Sequence, residues 1–152
     1  MGNITKPTNA SVSIKDGRKF VTIWCNFDGY IDHLGKVLSE HYDTKEKVVD
    51  LIQHGDACCI NENIGERVDN YRCSFDYKYY EQVRHQCRFY HRDMDMQLDI
   101  ATDITEKELL RYADYNYLFK DGKWFVSCKD TNFKWEELST FFPVEETESI
   151  AS

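Results

Sequence analysis

No apolar run in this sequence approaches the length that a membrane span requires, and no positively charged, then apolar leader opens it. The six cysteines include no Cys-x-x-Cys pair of the kind that zinc and redox motifs use. Cysteines without such spacing are expected to be reduced and to behave as small buried hydrophobes. We therefore expect a soluble, cytoplasmic protein that has no membrane partner.

Basic residues are fewer than acidic residues in this chain. The chain holds 19 Lys and Arg against 27 Asp and Glu, which gives a formal net charge of −8. Such a field repels phosphate backbones and anionic membranes on average, so direct nucleic-acid binding is disfavoured. The acidity has two interpretations that net charge does not separate: it keeps the protein soluble, or it lays carboxylates along a surface that imitates a nucleic acid.

The usual signatures of catalysis are missing as well. The sequence has no Gly-x-Ser-x-Gly elbow, no dinucleotide-binding fingerprint and no recognisable Cys–His constellation. Gly29 and Gly35-Lys36 resemble a Walker loop, but five residues separate the glycines instead of four, and Val37 follows where Ser or Thr should meet magnesium. We favour a protein that is not an enzyme, and we expect no catalytic residue, no metal and no cofactor.

Aromatic residues, in contrast, are abundant. The 10 Tyr, 9 Phe and 3 Trp among 152 residues exceed what one small core requires. The length suits a single domain over 1–152, in which we expect 1–10 and 144–152 to be flexible. Most rings should lie in the core, and any that cluster on the surface would indicate a ligand pocket or a partner surface.

Two β-hairpins and three helices are predicted from local patterns. Asp-Gly pairs between β-rich arms favour tight turns, one joining 11–15 to 19–26 and the other joining 116–120 to 123–128. Apolar spacing and capping residues predict the helices. They cover 32–42, 43–54 with an Asp43-x-x-Glu46 start, and 105–113 with a Thr105–Glu108 capping box and Ile104 packed on Leu109.

Strict alternation from 71 to 79 predicts a strand with one buried face, because an aromatic residue or Cys occupies every odd position. A partner strand is expected over 83–91, and a last helix over 133–142, ended by Pro143. Strands thus come in hairpins with helices inserted between them. The predicted fold class is α+β, with an antiparallel sheet built from β-hairpins and with helices packed mainly on one side.

The strand-to-helix junction over 23–38 is the first candidate site. We interpret it mainly as a structural corner that borders a binding surface: Gly29 supplies an unusual φ, Asp32 caps the helix, and Gly35 lets another backbone approach. Carboxylates at the helix N-terminus would compete with a bound anion, which disfavours phosphate there. The candidate binding residues at this corner are Asp28, Tyr30, Asp32, His33 and Lys36.

A second candidate group lies in the predicted strand over 83–91 and just after it. Three arginines recur at every fourth position, so on a strand they would share one face and could converge on rings. A histidine and nearby acids offer ligands for a hard cation. The binding candidates are Arg84, Arg88, His91, Arg92 and Asp93, and the further acids are Asp95 and Asp99.

Several elements of the chain resemble a loosely defined family of small bacteriophage and prophage accessory proteins. They are Phe27-Asp28-Gly29-Tyr30, Gly35-Lys36-x-Leu38-x-x-His41-Tyr42, Lys47-Val48-x-x-Leu51-Ile52-x-x-Gly55-Asp56, and the similar stretches 90–93 and 117–124. The chain departs from the family at Phe27 and Ile31, where members usually have Trp and Pro, and at Cys58-Cys59, where they have small polar residues. The resemblance implies a viral origin and a bacterial host cytoplasm, and it supplies no catalytic residues.

The resemblance and the acidic composition together predict a binding protein. We expect an inhibitor that docks on a host defence or nucleic-acid-processing protein through an acidic surface. One alternative is a binder that sequesters a small nucleotide signal in a pocket lined by aromatic residues and Arg. Another is a metal-dependent hydrolase or nuclease that uses His91 and nearby acids. A contiguous acidic face would favour the inhibitor, whereas converging arginines would favour the nucleotide binder.

Overall fold

The computed structural model describes residues 8–143, so residues 1–7 and the acidic stretch 144–152, both expected to be flexible, lie outside the described residues. The strands between residues 8 and 143 are β1 (Ala10–Asp16), β2 (Lys19–Cys25), β3 (Ala57–Cys59), β4 (Arg88–Phe89), β5 (Tyr115–Lys120), β6 (Lys123–Cys128) and β7 (Glu136–Glu137). The α-helices are α1 (Lys36–His41), α2 (Lys45–Ile52), α3 (Asn70–Cys73), α4 (Tyr77–Val83), α5 (Tyr90–Met94) and α6 (Glu106–Leu109). Among the described residues, no helix combines the length and the apolar character that crossing a bilayer demands.

The strands form one mixed sheet in the order β4-β3-β2-β1-β5-β6-β7. Antiparallel pairs join β1 to β2, β3 to β4, β5 to β6 and β6 to β7. Parallel pairs join β1 to β5 and β2 to β3. The sheet is therefore mostly antiparallel, and the predicted α+β class is confirmed.

Both Asp-Gly hairpins form as predicted. Asp121 and Gly122 have φ angles of 54° and 74°, the left-handed pair that a two-residue type I′ turn requires. In the first hairpin, the pairing of Asp16 with Lys19 leaves Gly17 at the first loop position, where its φ is 65°. The parallel contact between β1 and β5 then places the two hairpins side by side.

One face of the sheet carries the main core. The pairing register aligns alternate residues of the four central strands on this face, and α1, α2 and the π-helical turn (Ile31–Gly35) that leads into α1 cover it. The buried residues include Val12, Ile14, Ile23, Tyr117, Phe119 and Val126 from the strands and Leu34, Leu38, Val48 and Leu51 from the helical layer. The two helices predicted over 32–42 and 43–54 are thus confirmed.

The opposite face of the sheet buries small polar side chains. They are Ser11, Ser13, Thr22, Asn116 and Ser127. Asn116 Oδ1 accepts from the Ser11 hydroxyl at 2.8 Å, and its Nδ2 donates to the Ser127 carbonyl at 3.1 Å. The loop after α6 closes over this face, because Asn116 Nδ2 also donates to the Leu110 carbonyl at 3.1 Å. Burial of these groups carries little penalty since they are hydrogen-bonded.

The strand predicted over 71–79 is wrong, because this stretch folds as α3 and α4. Asp69 and Asp76 cap the two helices: their carboxylates accept from the backbone N–H groups of Arg72 and Tyr79, each at 3.1 Å. An aspartate at the N-cap position satisfies donors that a new helix leaves free. The alternating rings therefore do not define the buried face of a sheet.

Two further predictions hold only in part. Of the strand predicted over 83–91, only the short β4 pairs, since α4 extends to Val83 and a turn follows it. The helix predicted over 105–113 shortens to α6, but its Thr105–Glu108 capping box is present, and Ile104 packs on the cluster that contains Leu109. The capping signal was correct, and the helix ends early.

The helix predicted over 133–142 is wrong. Asn132 and Phe133 both have a φ of 55°, and this left-handed backbone does not propagate a helix. The short strand β7 and a 3-10 turn (Leu138–Phe141) follow instead. A Cβ on Gly35 would lie 3.3 Å from Leu138 Cδ1. Gly35 therefore makes room for side chains of this turn, and the predicted approach of another backbone is wrong.

Candidate functional site

The predicted corner after β2 exists, but a different residue takes the unusual conformation. Asp28 has a φ of 59°, whereas Gly29 does not adopt a left-handed φ. Gly29 is needed for space, because a Cβ there would lie 2.7 Å from Ala10 Cβ and 2.9 Å from the Thr8 carbonyl oxygen. The Tyr117 hydroxyl donates to the Gly29 carbonyl at 2.7 Å. These contacts hold the corner against β1 and β5.

The other corner candidates lie along the π-helical turn and the start of α1. Tyr30 is 41% exposed, and its ring centroid lies 6.1 Å from that of His33. Among the described residues, His33 Nε2 is buried without a hydrogen-bond partner. Asp32 and Lys36 are exposed. The predicted cap by Asp32 is wrong, since no side chain caps this turn in the described structure.

Strand β3 contains a bulge at two consecutive cysteines. The register pairs Ala57 with Phe89 but Cys59 with Arg88, so Cys58 is the extra residue. Neighbouring side chains of a regular strand point to opposite faces, and a bulge disturbs this alternation at Cys58 and Cys59. Both side chains are half-buried, so the pair is accessible near the β4 end of the sheet.

The groups around the Cys58 thiol favour its ionised form. Hydrogen bonds from the Cys59 thiol and the Tyr90 hydroxyl, together with the charge of Arg88, lower the pKa of Cys58 to about 7. Partial burial and the charge of Asp28 act in the opposite direction. The amide of Asn26 donates to the Tyr90 hydroxyl. We call the group formed by Asn26, Asp28, Cys58, Cys59, Arg88 and Tyr90 the cysteine corner.

Neighbouring thiols are kept neutral. The pKa of Cys59 is raised by its hydrogen bond to Cys58 and by burial. Burial also raises the pKa of Cys25 to about 12 and raises that of Cys87. All six cysteines of the chain lie within the described residues and are free thiols. Near neutral pH, the cysteine corner therefore places one ionisable thiol beside protonated ones.

Arg88 connects the cysteine corner to α3. Its guanidinium donates to Asn70 Oδ1 at 2.8 Å and to Cys73 Sγ at 3.3 Å. Its Nε is buried and finds no partner within residues 8–143. Arg88 and Asp28, two residues nominated from the sequence, thus both act on Cys58.

The three candidate arginines do not share a face. Arg84 follows α4, and its Nε lies 3.9 Å from Glu81 Oε1. Arg92 belongs to α5 and donates to both carboxylate oxygens of Asp93, at 2.8 and 3.1 Å. Helix and turn replace most of the strand that would have aligned them with Arg88. Their predicted convergence is therefore wrong.

Asp93 is a buried structural anchor. Its side chain is fully inaccessible to solvent. Besides pairing with Arg92, it accepts hydrogen bonds from the backbone N–H groups of Val68 and Phe89, each at 2.8 Å. Both carboxylate oxygens are already occupied by donors of the chain, so this acid holds α5, β4 and a loop together.

The remaining members of the proposed cation site are dispersed. His91 is exposed, and its Nδ1 lies 2.8 Å from a backbone carbonyl oxygen of the loop after α5. Asp95 Oδ1 forms an ion pair with Arg67 Nη1 at 3.0 Å. Asp99 instead lies next to Asp56, whose backbone N–H donates to the Asp99 carbonyl. Within residues 8–143, no group of three or more His, Cys, Asp or Glu side chains is arranged to hold a metal ion.

The surface of α3 and α4 is rich in exposed rings. We call it the aromatic surface, and its members are Tyr71, Phe75, Tyr77 and Tyr80, which are 78%, 67%, 73% and 38% exposed. Tyr71 and Phe75 meet edge to face with ring centroids 5.2 Å apart. A shallow pocket of about 330 Å³ lies between these helices and is lined by Cys73, Ser74, Phe75, Tyr77 and Tyr80. Large apolar groups clustered in this way mark interaction sites on soluble proteins.

The acidic excess lies outside the aromatic surface. Residues 66–86 hold four acidic and four basic side chains, whereas 28–56 hold seven against three and 95–114 hold six against two. The two acidic segments meet where the Asp56 N–H donates to the Asp99 carbonyl at 3.0 Å. Burial and the charge of Asp99 raise the pKa of Asp56. The aromatic surface is thus locally neutral within a strongly acidic chain.

Two features of this region differ from what the sequence predicts. The alternation over 71–79 predicts a buried sheet face, although Asp69 and Asp76 each stand three residues before the N–H that they cap, a helix-start signal. Cys58 and Tyr90 were not nominated. The bulge that exposes Cys58 has no local signal, because it depends on the register with β4.

The aromatic surface presents exposed rings, and the cysteine corner holds a thiol with a lowered pKa. Arg88 links them, since it contacts Cys73 below the rings and acts electrostatically on Cys58. Comparison of the chain with protein-family models, curated proteins and solved structures found no match.

Proposed function

We propose that this chain is a non-catalytic binding protein that docks on another protein through its aromatic surface. The observation that supports this function is the exposure of Tyr71, Phe75 and Tyr77, each of which is at least 67% exposed. Covering such rings removes apolar area from water, while the Tyr hydroxyls can still find polar partners. Tyr is also enriched among the residues that contribute most to protein–protein binding.

A protein suits this surface better than a nucleic acid does. Exposed rings can stack on bases, but proteins that bind single strands add positive charge along the phosphate path. Residues 66–86 carry balanced charge, and the chain as a whole has a formal net charge of −8. These charges leave a protein as the favoured partner.

The acidic segments 28–56 and 95–114 favour a partner that has a basic face. Complementary charge speeds the encounter and discriminates against acidic competitors. A basic face is typical of proteins that bind nucleic acid. Together with the resemblance to phage accessory proteins, this favours a host defence or nucleic-acid-processing protein as the partner, which the bound chain would inhibit by covering its basic face.

Replacing the most exposed rings tests the proposal. Affinity capture from a bacterial host lysate identifies a partner, and calorimetry with the purified pair measures the dissociation constant. The double variant Tyr71→Ser with Tyr77→Ser should weaken binding at least tenfold, because central interface residues typically cost about 2 kcal/mol or more when truncated.

Met96→Gln is the matched control, because Met96 is 55% exposed but lies outside the aromatic surface. It should leave the affinity unchanged, and circular dichroism should show that every variant is folded. A folded double variant that binds as tightly as the wild type would contradict docking through the rings.

A further inference from the structure

A cavity of about 430 Å³ lies where the two acidic segments of the chain meet. We propose that it binds an organic cation, whose alkylated ammonium head group is held by the rings of Trp24 and Tyr112 and the carboxylates of Asp56 and Asp99. The volume falls within the range of small-molecule sites, about 300–1,000 Å³. None of the residues that line this cavity belongs to the aromatic surface, and its occupation does not depend on the proposed docking function.

Hydrogen bonds join the walls of the cavity to one another. Thr22 of β2 and Ala101 exchange both backbone bonds, at 2.8 and 2.9 Å. Asp56 Oδ1 accepts from the Trp24 N–H at 2.9 Å, and the Asp56 N–H donates to the Asp99 carbonyl at 3.0 Å. These four backbone N–H groups already have acceptors, so none of them is free to bind an anion. The arrangement therefore disfavours phosphate or carboxylate ligands.

Two rings form adjacent walls of the cavity. The planes of Trp24 and Tyr112 meet at 78°, with ring centroids 5.6 Å apart. An edge-to-face pair of this kind covers only one ring face, so other faces, which are electronegative, stay available. The Trp24 indole N–H donates to Asn26 Oδ1 at 2.7 Å, which fixes the orientation of the ring. Cations bind to such faces within about 6 Å of the ring centroid, and Trp attracts them most strongly.

The negative charge in the cavity is not neutralised by the chain. Among the described residues that line it are Asp56 and Asp99 but no Lys, Arg or His. Neither carboxylate forms an ion pair within residues 8–143. Burial and the charge of Asp99 raise the pKa of Asp56, whereas the hydrogen bond from the Trp24 N–H acts in the opposite direction. A bound cation would relieve the repulsion, and functional sites often retain such groups at a cost in stability.

An organic cation suits this cavity better than a metal ion does. Calcium takes about six to eight oxygen ligands, and magnesium requires a near-octahedral set. Within residues 8–143, no group of three or more His, Cys, Asp or Glu side chains is arranged to hold a metal. An alkylated ammonium group needs no such set of ligands, because its alkyl groups contact the rings while its charge is attracted to the carboxylates.

Choline and its uncharged carbon isostere, in which a carbon atom replaces the nitrogen, separate the effect of charge from that of shape. Each is titrated into the intact protein while NMR follows the indole N–H signal of Trp24, which is assigned with Trp24→Phe. Choline should shift this signal and bind about tenfold more tightly than the isostere, or better. A trimethyl-lysine amide identifies the source of the head group: tighter binding than choline indicates a methylated lysine of a protein, and weaker binding a free small molecule.

Charge-removing variants locate the site. Asp56→Asn and Asp99→Asn should each weaken choline binding about fivefold or more, because each removes one attractive charge. Asp56→Asn keeps an acceptor for the Trp24 N–H, and circular dichroism verifies that the variants are folded. Asp103→Asn is the matched control, since Asp103 is exposed in the same segment but does not line the cavity, and it should leave the affinity within about twofold. Equal binding of the isostere, an unmoved Trp24 signal, or an equal loss in Asp103→Asn would overturn the proposal, as would displacement of choline by an equal concentration of magnesium or calcium.

Discussion

Acidic residues of the same type have very different roles in this protein. Asp93 is fully buried and accepts hydrogen bonds from Arg92, Val68 and Phe89, which fixes β4 and α5 to a neighbouring loop. Asp95, two positions later, forms only an exposed ion pair. The local environment, and not the residue type, decides which of the two carboxylates the fold needs.

Asp93→Ala should lower the free energy of unfolding by about 3–5 kcal/mol, because two buried N–H groups lose their acceptor and the Arg92 charge loses its carboxylate and keeps only the carbonyls of Gly65 and Cys87. Asp95→Asn is the matched control and should change stability little, since exposed ion pairs contribute weakly and Asn tolerates the left-handed backbone at this position. Urea unfolding followed by circular dichroism measures both. Comparable losses in the two variants would show that Asp93 is not the anchor described here.

At the scale of elements, the helices are short and depend on their caps. Helix α2 has 8 residues, fewer than an isolated helix needs in water. Thr44 Oγ1 accepts from the Lys47 backbone N–H at 3.2 Å. The Asp43-x-x-Glu46 pattern predicted Asp43 in this role, but Asp43 instead pairs with the Lys47 ammonium group. The Thr44 hydroxyl, and not the Asp43 carboxylate, therefore accepts from the free backbone N–H at the start of α2.

Thr44→Ala should therefore destabilise the protein by about 1 kcal/mol, because one N–H at the start of α2 loses its acceptor. Asp43→Ala removes only an exposed ion pair and should have the smaller effect. Thermal unfolding at neutral pH compares the two midpoints. The opposite order would restore Asp43 as the cap.

For the whole molecule, charge is distributed unevenly. The acidic segments 28–56 and 95–114 meet at Asp56 and Asp99, where burial and mutual repulsion raise the pKa of Asp56. A carboxyl group whose pKa is higher in the folded protein than in the unfolded chain costs stability at any pH above both values. At neutral pH, Asp56 is therefore expected to oppose folding.

Asp56→Asn should raise the unfolding midpoint at pH 7, because it removes this charge while its Oδ1 can still accept from the Trp24 N–H. The gain should shrink as the pH falls through the raised pKa and should also shrink with added salt, which screens the repulsion. Asp103→Asn removes an exposed charge from the same segment and should gain less. A lower midpoint in Asp56→Asn at pH 7 would contradict the repulsion argument. Scanning calorimetry at low and high salt measures these effects.

Much of the local structure was predictable from the sequence. The Asp-Gly turns, the Thr105–Glu108 capping box and the apolar faces of α1 and α2 depend on residues within a few positions of one another. Of the candidate site, Asp28 and Arg88 were nominated and do act on Cys58, although for different reasons from those predicted. The period-two alternation over 71–79 predicted a strand wrongly. Alternation alone does not show whether other strands are placed to pair with the segment and form a sheet.

The sequence by itself determined where the chain turns, where its helices start and that it carries more rings and acids than a core can hold. Only the tertiary structure decided that β1 runs parallel to β5, that Asp93 is buried, that the rings of α3 and α4 stay exposed and that β3 bulges at Cys58. The physical reason is the separation along the chain between the residues that interact. Turn and cap energies come from neighbours along the chain, whereas register, burial and the pKa of a thiol depend on segments that meet only in the folded protein.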